Sequence, residues 1–355
     1  MTATVRVMSP EEITAMAGGE TPFLIWPERS TVFALRAMRL RQLGQGQNSG
    51  HAMRDFLLFM ADLAHAQQVL ADAFPTRFSS TALPDAQALD QAAKMGVPPL
   101  PAPDWPRDPA WRAGLRAMLS DLRAGAPEVA RAAIDRLAAA DDAWLETQAD
   151  CLLTGVMRGL DMATSPFVAA ALQVYFTHLV LAVQAGEHGP ASGPTNGGGQ
   201  PFGRIDDVTA CPCCGSRPTA SITRSAGQAT GQRYLHCSLC STQWHMLRIK
   251  CAHCLSEKSL AYQSLQAADA TGAAGVSSAP VQAETCDDCG HYLKIVHTDR
   301  DAQVDPVADD LATVTLDLLV SEAGKQRHGV NLMLLYGEPE PERATDPPPD
   351  PGESN

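Results

Sequence analysis

"CPCCGSRPTASITRSAGQATGQRYLHCSLC", residues 211–240, carries a Cys-x-x-Cys pair at each end, Cys211 with Cys214 and Cys237 with Cys240. Two more pairs follow, Cys251 with Cys254 in "CAHC" and Cys286 with Cys289 in "CDDC". The two-residue gap lets both sulfurs of a tight turn point at one ion, and two such turns complete a tetrahedral site. Eight thiolates in four pairs therefore predict two metal ions. Pairing the turns in chain order leaves 22 residues between Cys214 and Cys237 and 31 between Cys254 and Cys286, so each site closes a local ribbon. Interleaved pairing needs a less local topology and ranks second. Glycine follows one turn of each site, at Gly215 and Gly290. A residue free to take positive φ turns backbone N–H groups toward the sulfurs and favours the thiolate.

The other metal-binding residue types nearby have blander readings. Cys213 lies inside the first turn, whose flanking pair already has the required spacing, and is read as uninvolved. Cys151 sits beside Leu152 and Leu153 in a helical pattern and is read as a buried, inert thiol. His236, His245, His253 and His291 crowd the turns, but eight cysteines already complete two sites, so supporting or surface roles are expected. Segments of roughly 40 residues rarely bury enough surface to fold alone, whereas a structural zinc supplies about 10–16 kcal/mol of apparent binding energy. Stapling of small folds is thus a sufficient reason for the cysteines. Iron suits the same sulfur cage as zinc, and spacing does not separate the two.

Outward from the ribbons the chain changes character. "GEHGPASGPTNGGGQ", residues 186–200, is rich in Gly, Pro and Ser and reads as a linker. Before it, helical periodicity runs from about Thr31 to Gln184. In residues 51–74 the apolar side chains Met53, Phe56, Leu57, Met60, Leu63, Ala64 and Leu70 fall near one helical face. Ser30 or Thr31 is expected to cap one helix, and Ser165, with Pro166 at the first helical position, another. Further Ala-rich helices are expected within 106–154, after an extended Pro-rich connection at "KMGVPPLPAPDWPRDP". The run Pro166–Val183 is short for a membrane span and carries Gln173, Thr177 and His178, so it is read as a buried helix with His178 a hydrogen-bonded core histidine.

After the linker, "RYLHC", "QWHMLRIKC" and "HYLKIV" have the β-branched and aromatic content of strands. "DPVADDLATVTLDLLVSEAG" returns to helix, with Asp305 as a cap and Val307, Leu311, Val314 and Leu318 along one side. Asp309 and Asp310 are read there as a solvated face or as a contact with the helix N-terminal dipole. The predicted organisation is a helical domain at 1–185, a linker at 186–204, a first cysteine module at 205–246, a second module with its C-terminal helix at 247–336, and a disordered acidic tail at 337–355.

Composition narrows the function. A formal net charge of -13 argues against a surface built to neutralise phosphates. Residues 201–300 hold nine Lys plus Arg against eight Asp plus Glu, before any thiolate charge, so a nucleic-acid-binding ribbon is disfavoured. Nine of the 10 cysteines lie between positions 211 and 289, and a reducing compartment makes metal ligation a better reading than disulfides. The start "MTATVRVMSPEE" lacks the pattern of a secretory signal, which predicts a cytoplasmic protein without membrane insertion. No nucleophile elbow or phosphate loop is present, and an enzyme is not expected.

"CPCCGSRP", "GQRYLHCSLCSTQWHMLRIKCAHC", "ETCDDCGHYLKIV" and "DPVADDLATVTLDLL", in that order after a helical region, resemble the FdhE family of formate dehydrogenase accessory proteins. The match runs from about Cys211 to Leu319. Upstream it rests on "FALRAMRLRQL" and "FLLFMADLAHAQQ". The resemblance implies an α+β multidomain fold: an all-α N-terminal domain, two rubredoxin-like or zinc-ribbon modules, and a C-terminal helix. It implies a cytoplasmic factor that binds the catalytic subunit of respiratory formate dehydrogenase before export, with iron as the metal. The implied ligands are Cys211, Cys214, Cys237, Cys240, Cys251, Cys254, Cys286 and Cys289. A rubredoxin-like electron carrier, a thiol redox protein and a nucleic-acid-binding ribbon are the alternatives. The additions "AADATGAAGVSS" and the acidic tail depart from the family pattern without removing a ligand.

Overall fold

The computed structural model describes residues 21–46, 52–78, 82–186, 202–225, 230–265 and 278–335. Most of the expected linker, the expected tail and nearly all of "AADATGAAGVSS" lie outside these residues. A short strand β1 (Leu24–Ile25) precedes the helices α1 (Val32–Gln45), α2 (Arg54–Arg77), α3 (Ala86–Met95), α4 (Ala110–Leu122), α5 (Glu128–Ala139), α6 (Asp142–Thr154) and α7 (Ser165–Gln184). Periodicity explains α2: Leu57, Met60, Leu63, Ala64 and Leu70 are buried on one face, with Met53 and Phe56 packed at its edge. Carboxylates set two helix starts, since Asp85 accepts from Ala88 N at 2.8 Å and Asp141 from Trp144 N at 2.7 Å. Thr31 stands at the start of α1 without a side-chain capping bond, and the caps expected at Ser30 and Ser165 do not form. Ser30 Oγ instead donates to Glu28, and Ser165 Oγ turns back to the Met162 carbonyl at 3.1 Å.

Helix α7 is the one helix among the described residues long and apolar enough to cross a membrane, and 89% of its most apolar window is buried inside the protein. A helix apolar on all sides belongs in a core. Its few polar side chains make inward contacts that tie the helices to the ribbons. Gln67 of α2 donates to Gln173 Oε1 at 2.9 Å, and Gln173 donates to the Ser238 carbonyl at 2.7 Å. Thr177 Oγ1 donates to the Cys240 carbonyl at 3.3 Å. His178 is buried against Phe74, with ring centroids 4.9 Å apart, but its Nδ1 lacks the expected hydrogen-bond partner among the described residues. Burial first, and the nearby Arg29 second, lower its pKa to about 4.

The second half is one sheet. Strands β2 (Pro218–Thr223), β3 (Arg233–Cys237), β4 (Gln243–His245), β5 (Leu260–Gln263), β6 (Val281–Cys286) and β7 (His291–His297) follow the order β1-β4-β3-β2-β7-β6-β5, and β8 (Gln326–Arg327) pairs with β7. The two cysteine-bearing halves meet where β2 runs parallel to β7, with Ser221 opposite Ile295 and Thr223 opposite His297. Buried Arg233 of β3 and Glu284 of β6 make a second link at 2.8 Å. The apolar core of the helices continues into Leu235, Trp244 and the cysteines of the first ribbon, so the two share one packed cluster.

The C-terminal helix departs from expectation. It is broken at Thr313 into α8 (Ala308–Ala312) and α9 (Val314–Glu322). The cause is Lys294 of β7, whose buried ammonium takes the carbonyls of Asp310 at 2.8 Å and Thr313 at 3.0 Å, groups an unbroken helix would use internally. The break rotates the second piece, burying Leu316 and Val320 and leaving Leu318 exposed rather than on the core side. Asp305 does cap α8, accepting from Val307 N at 3.0 Å and Ala308 N at 2.8 Å. Asp309 and Asp310 are buried, not solvated. Arg39 of α1 grips Asp309 through Nε at 2.9 Å and Nη2 at 2.7 Å, and Arg327 binds both oxygens of Asp310 at 2.7 and 2.8 Å. Burial opposes the charge on Asp310, yet Lys294 and Arg327 hold its carboxyl below the usual range.

Candidate metal centres

Each cysteine pair sits on a tight turn, and the residue after its second cysteine takes positive φ in all four. Gly215 and Gly290 do so at 75° and 72°; Ser241 and Leu255 do so at 59° and 63° and are the non-glycine residues with positive φ among those described. Side chains resist that conformation by about 1–2 kcal/mol, so two of the four turns are held strained by what they surround. The left-handed residue closes three of the loops, as Gly215 N donates to the Cys211 carbonyl at 2.8 Å, Leu255 N to that of Cys251 at 3.1 Å and Gly290 N to that of Cys286 at 3.0 Å. At Gly215 a side chain would also meet the ring of Pro98 at 3.3 Å. The Pro-rich connection lies over the first turn here: Leu100 N donates to the Cys213 carbonyl and Ala102 N to that of Cys214, at 3.1 and 2.9 Å.

The sulfurs gather in two sets, Cys211, Cys214, Cys237 and Cys240 in one and Cys251, Cys254, Cys286 and Cys289 in the other. No interleaved set forms among the described residues. In the first set Cys211 and Cys240 are 3.6 Å apart, and Cys214 lies 3.5 Å from Cys237. In the second, Cys251 to Cys289 and Cys254 to Cys286 are both 3.8 Å. These separations are too long for disulfides, which need about 2.05 Å. A tetrahedral ion with bonds of about 2.3 Å would set its sulfurs about 3.8 Å apart. The cages therefore fit one zinc- or iron-sized ion each.

The donors around the sulfurs fit thiolates. Leu239 N and Cys240 N both donate to Cys237 Sγ at 3.4 Å, and His253 N donates to Cys251 Sγ at 3.4 Å. Ser216 Oγ stands 3.4 Å from Cys214 Sγ and Thr242 Oγ1 3.3 Å from Cys240 Sγ. Without a cation, burial pushes the Cys211 and Cys237 thiols well up, while Cys240 is held down against burial by the thiols around it. Burial thus opposes charge on these sulfurs, and a divalent ion is what could hold all four as thiolates.

The two cages differ in access. All four sulfur residues of the first are 0–1% exposed. In the second, Cys251 and Cys286 are buried, Cys289 is half-buried and Cys254 is exposed. The Ser256 backbone donor, ahead of a small opposing burial effect, lowers the Cys254 thiol, whereas burial pushes Cys289 up to about 12.

Cys213 is buried beside the first cage but outside its quartet, and half-buried Cys151 points at the Arg158 carbonyl 3.7 Å away. His236 and His245 contact Gln243 and Gln232 instead of a cage. His253 and His291, by contrast, group with Cys289. Sequence reasoning missed Arg39, Lys294 and Arg327, which fix the C-terminal helices under the ribbons. No local pattern marks them, because their partners in these helices lie 10 to 270 residues away.

Three family models match the chain in order: "FdhE, N-terminal" over residues 21–192, "FdhE, central domain" over 210–248 and "FdhE, C-terminal domain" over 249–334. A Pseudomonas aeruginosa protein described as an FdhE homolog is 37% identical over 331 residues, 93% of this chain and 98% of that protein. Another, from Cronobacter sakazakii, is 34% identical over 322 residues, 90% of this chain and 93% of its own. The crystal structure of the FdhE protein from Pseudomonas aeruginosa superimposes with a TM-score of 0.74 at 35% identity, covering 89% of this chain and 100% of that one.

Proposed function

The chain belongs to the FdhE family, and on that premise we propose that it is a non-enzymatic factor for the maturation of respiratory formate dehydrogenase. In this reading it binds the catalytic subunit in the cytoplasm, before export. The observation that carries the proposal is the order and extent of the family match, which spans the helices and both cysteine ribbons. Acidic balance supports a protein partner over nucleic acid, since a net charge of -13 repels a phosphate backbone.

In the proposed arrangement Cys211, Cys214, Cys237 and Cys240 hold one ion and Cys251, Cys254, Cys286 and Cys289 a second. Zinc there would be structural, and iron would add a one-electron couple. The chain's own part is to present the ribbons rigidly: Gln173 and Thr177 clamp the first, and Arg39 and Lys294 anchor the helices behind the sheet.

Deleting the gene should abolish respiratory formate oxidation while the catalytic polypeptide is still made, and affinity capture from formate-respiring cells should recover that polypeptide. The purified protein should oxidise no formate itself. Normal formate dehydrogenase activity in a deletion strain lacking any paralogue would overturn the reading. A second reading, a rubredoxin-like electron carrier, is favoured by the exposed Cys254 at the second cage. A reversible visible iron–thiolate spectrum from anaerobically purified protein would support it, and a colourless zinc protein would remove it.

A further inference from the structure

Beside the second cage stands a cluster that two tetrathiolate sites do not use. The His253 and His291 rings stack with centroids 3.9 Å apart and planes 16° from parallel, and His328 meets His253 edge-on at 4.9 Å. Ligand atoms of His253, His291 and Cys289 all lie within 4.8 Å of one another. His291 Nδ1–H donates to the Cys289 carbonyl at 2.9 Å. That bond fixes the tautomer and leaves Nε2 as a free lone pair, the arrangement usual for a metal-binding imidazole. His328 Nε2 is buried and has no hydrogen-bond partner among the described residues. A void of about 10 Å³, bordered by Cys251, His253, His291 and His328, has room for one water-sized occupant.

We propose that His253 and His291, with the sulfur of Cys289, form a third site for a zinc-class divalent ion on the open side of the second cage, through which ions enter and leave that cage. A thiolate sulfur keeps spare lone pairs after binding one ion, so Cys289 can bridge two. The stacked rings do not aim their lone pairs at one point as they stand. His253 is exposed, however, so a change of side-chain rotamer can take its ring out of the stack and offer a nitrogen beside Cys289 and the anchored His291. The same side of the cage is its accessible side, because Cys254 is exposed and Cys289 half-buried, while the first cage offers no such edge. The third site makes exchange at the second cage a matter of short ligand-to-ligand steps and leaves the first cage inert.

The inference rests on the quartets being metal centres, not on the identity of the protein partner. Its test uses full-length protein loaded with zinc, elemental analysis, calorimetric titration with further Zn²⁺ and release to a coloured chelator. Wild type should hold two ions, bind a third more weakly, and release one cage ion fast and the other slowly. His253→Ala, an exposed change, and the double variant His253→Ala/His291→Ala should keep two ions, lose the third and slow the fast release by about tenfold. His65→Ala, an exposed histidine on α2, should change nothing. Two ions without a third, a third ion that survives in the double variant, or unchanged release would overturn the inference alone. Fewer than two ions in wild type would overturn the quartet reading and this inference with it.

Discussion

Cys237→Ser tests whether the first ribbon is an appendage or part of the helical core. The substitution removes one of four thiolates from a cage that is closed to solvent. Sharing an apparent zinc binding energy of about 10–16 kcal/mol equally among four ligands assigns roughly 2.5–4 kcal/mol to this one. The loosened turn also weakens the Gln173 and Thr177 bonds to Ser238 and Cys240, worth about 1 kcal/mol each. A total of about 5 kcal/mol is comparable with the whole net stability of an ordinary domain. At about 2–4 °C per kcal/mol the melting temperature should fall by about 10–20 °C. Far-UV circular dichroism reads mainly the helices, so the drop should appear there, together with a fall from two bound ions to one. If the helical signal instead melts at the wild-type temperature while only residues near 205–245 lose amide protection, the shared core contributes nothing and the reasoning fails.

Three further outcomes follow from the same geometry. Cys254→Ser, at the exposed edge of the second cage, should also lose one ion but lower the melting temperature by less than half as much; a larger drop than that of Cys237→Ser would contradict the difference in burial. Gly215→Ala combines positive φ with the Pro98 contact and should cost about 2 kcal/mol in denaturant titration, against about 1 kcal/mol for Gly290→Ala, whose added methyl meets nothing within 4 Å. His178 has its pKa lowered to about 4 by burial, so its contribution is fully present above the unfolded value near 6.5 and is lost as pH falls toward 4. It should give up on the order of 3 kcal/mol over that window, and His178→Phe should flatten the stability curve there. An unchanged slope in the variant would show that the buried imidazole is not the titrating group.

Features whose causes are local were legible from the residues alone. Four Cys-x-x-Cys turns group in chain order because a turn's geometry is set within a few residues, and α2 is legible because its apolar face repeats at helical spacing. The polar residues of α7 already marked it as a core helix. Strands β2, β5 and β6, reading "PTASIT", "LAYQ" and "VQAETC", carry weak strand patterns and become strands through their neighbours in the sheet. The rest comes from contacts between segments far apart in the chain. The parallel join of β2 to β7 makes one sheet of two ribbons, and Lys294 breaks a helix that reads as continuous. Asp309 and Asp310, adjacent acids with no apolar pattern, are drawn inside because Arg39, Lys294 and Arg327 arrive from distant segments to meet their charge. The unequal exposure of the two cages has the same origin. Helix α7 and the Pro-rich connection seal the first, nothing comparable among the described residues covers Cys254 in the second, and no spacing of cysteines encodes what packs on top of them.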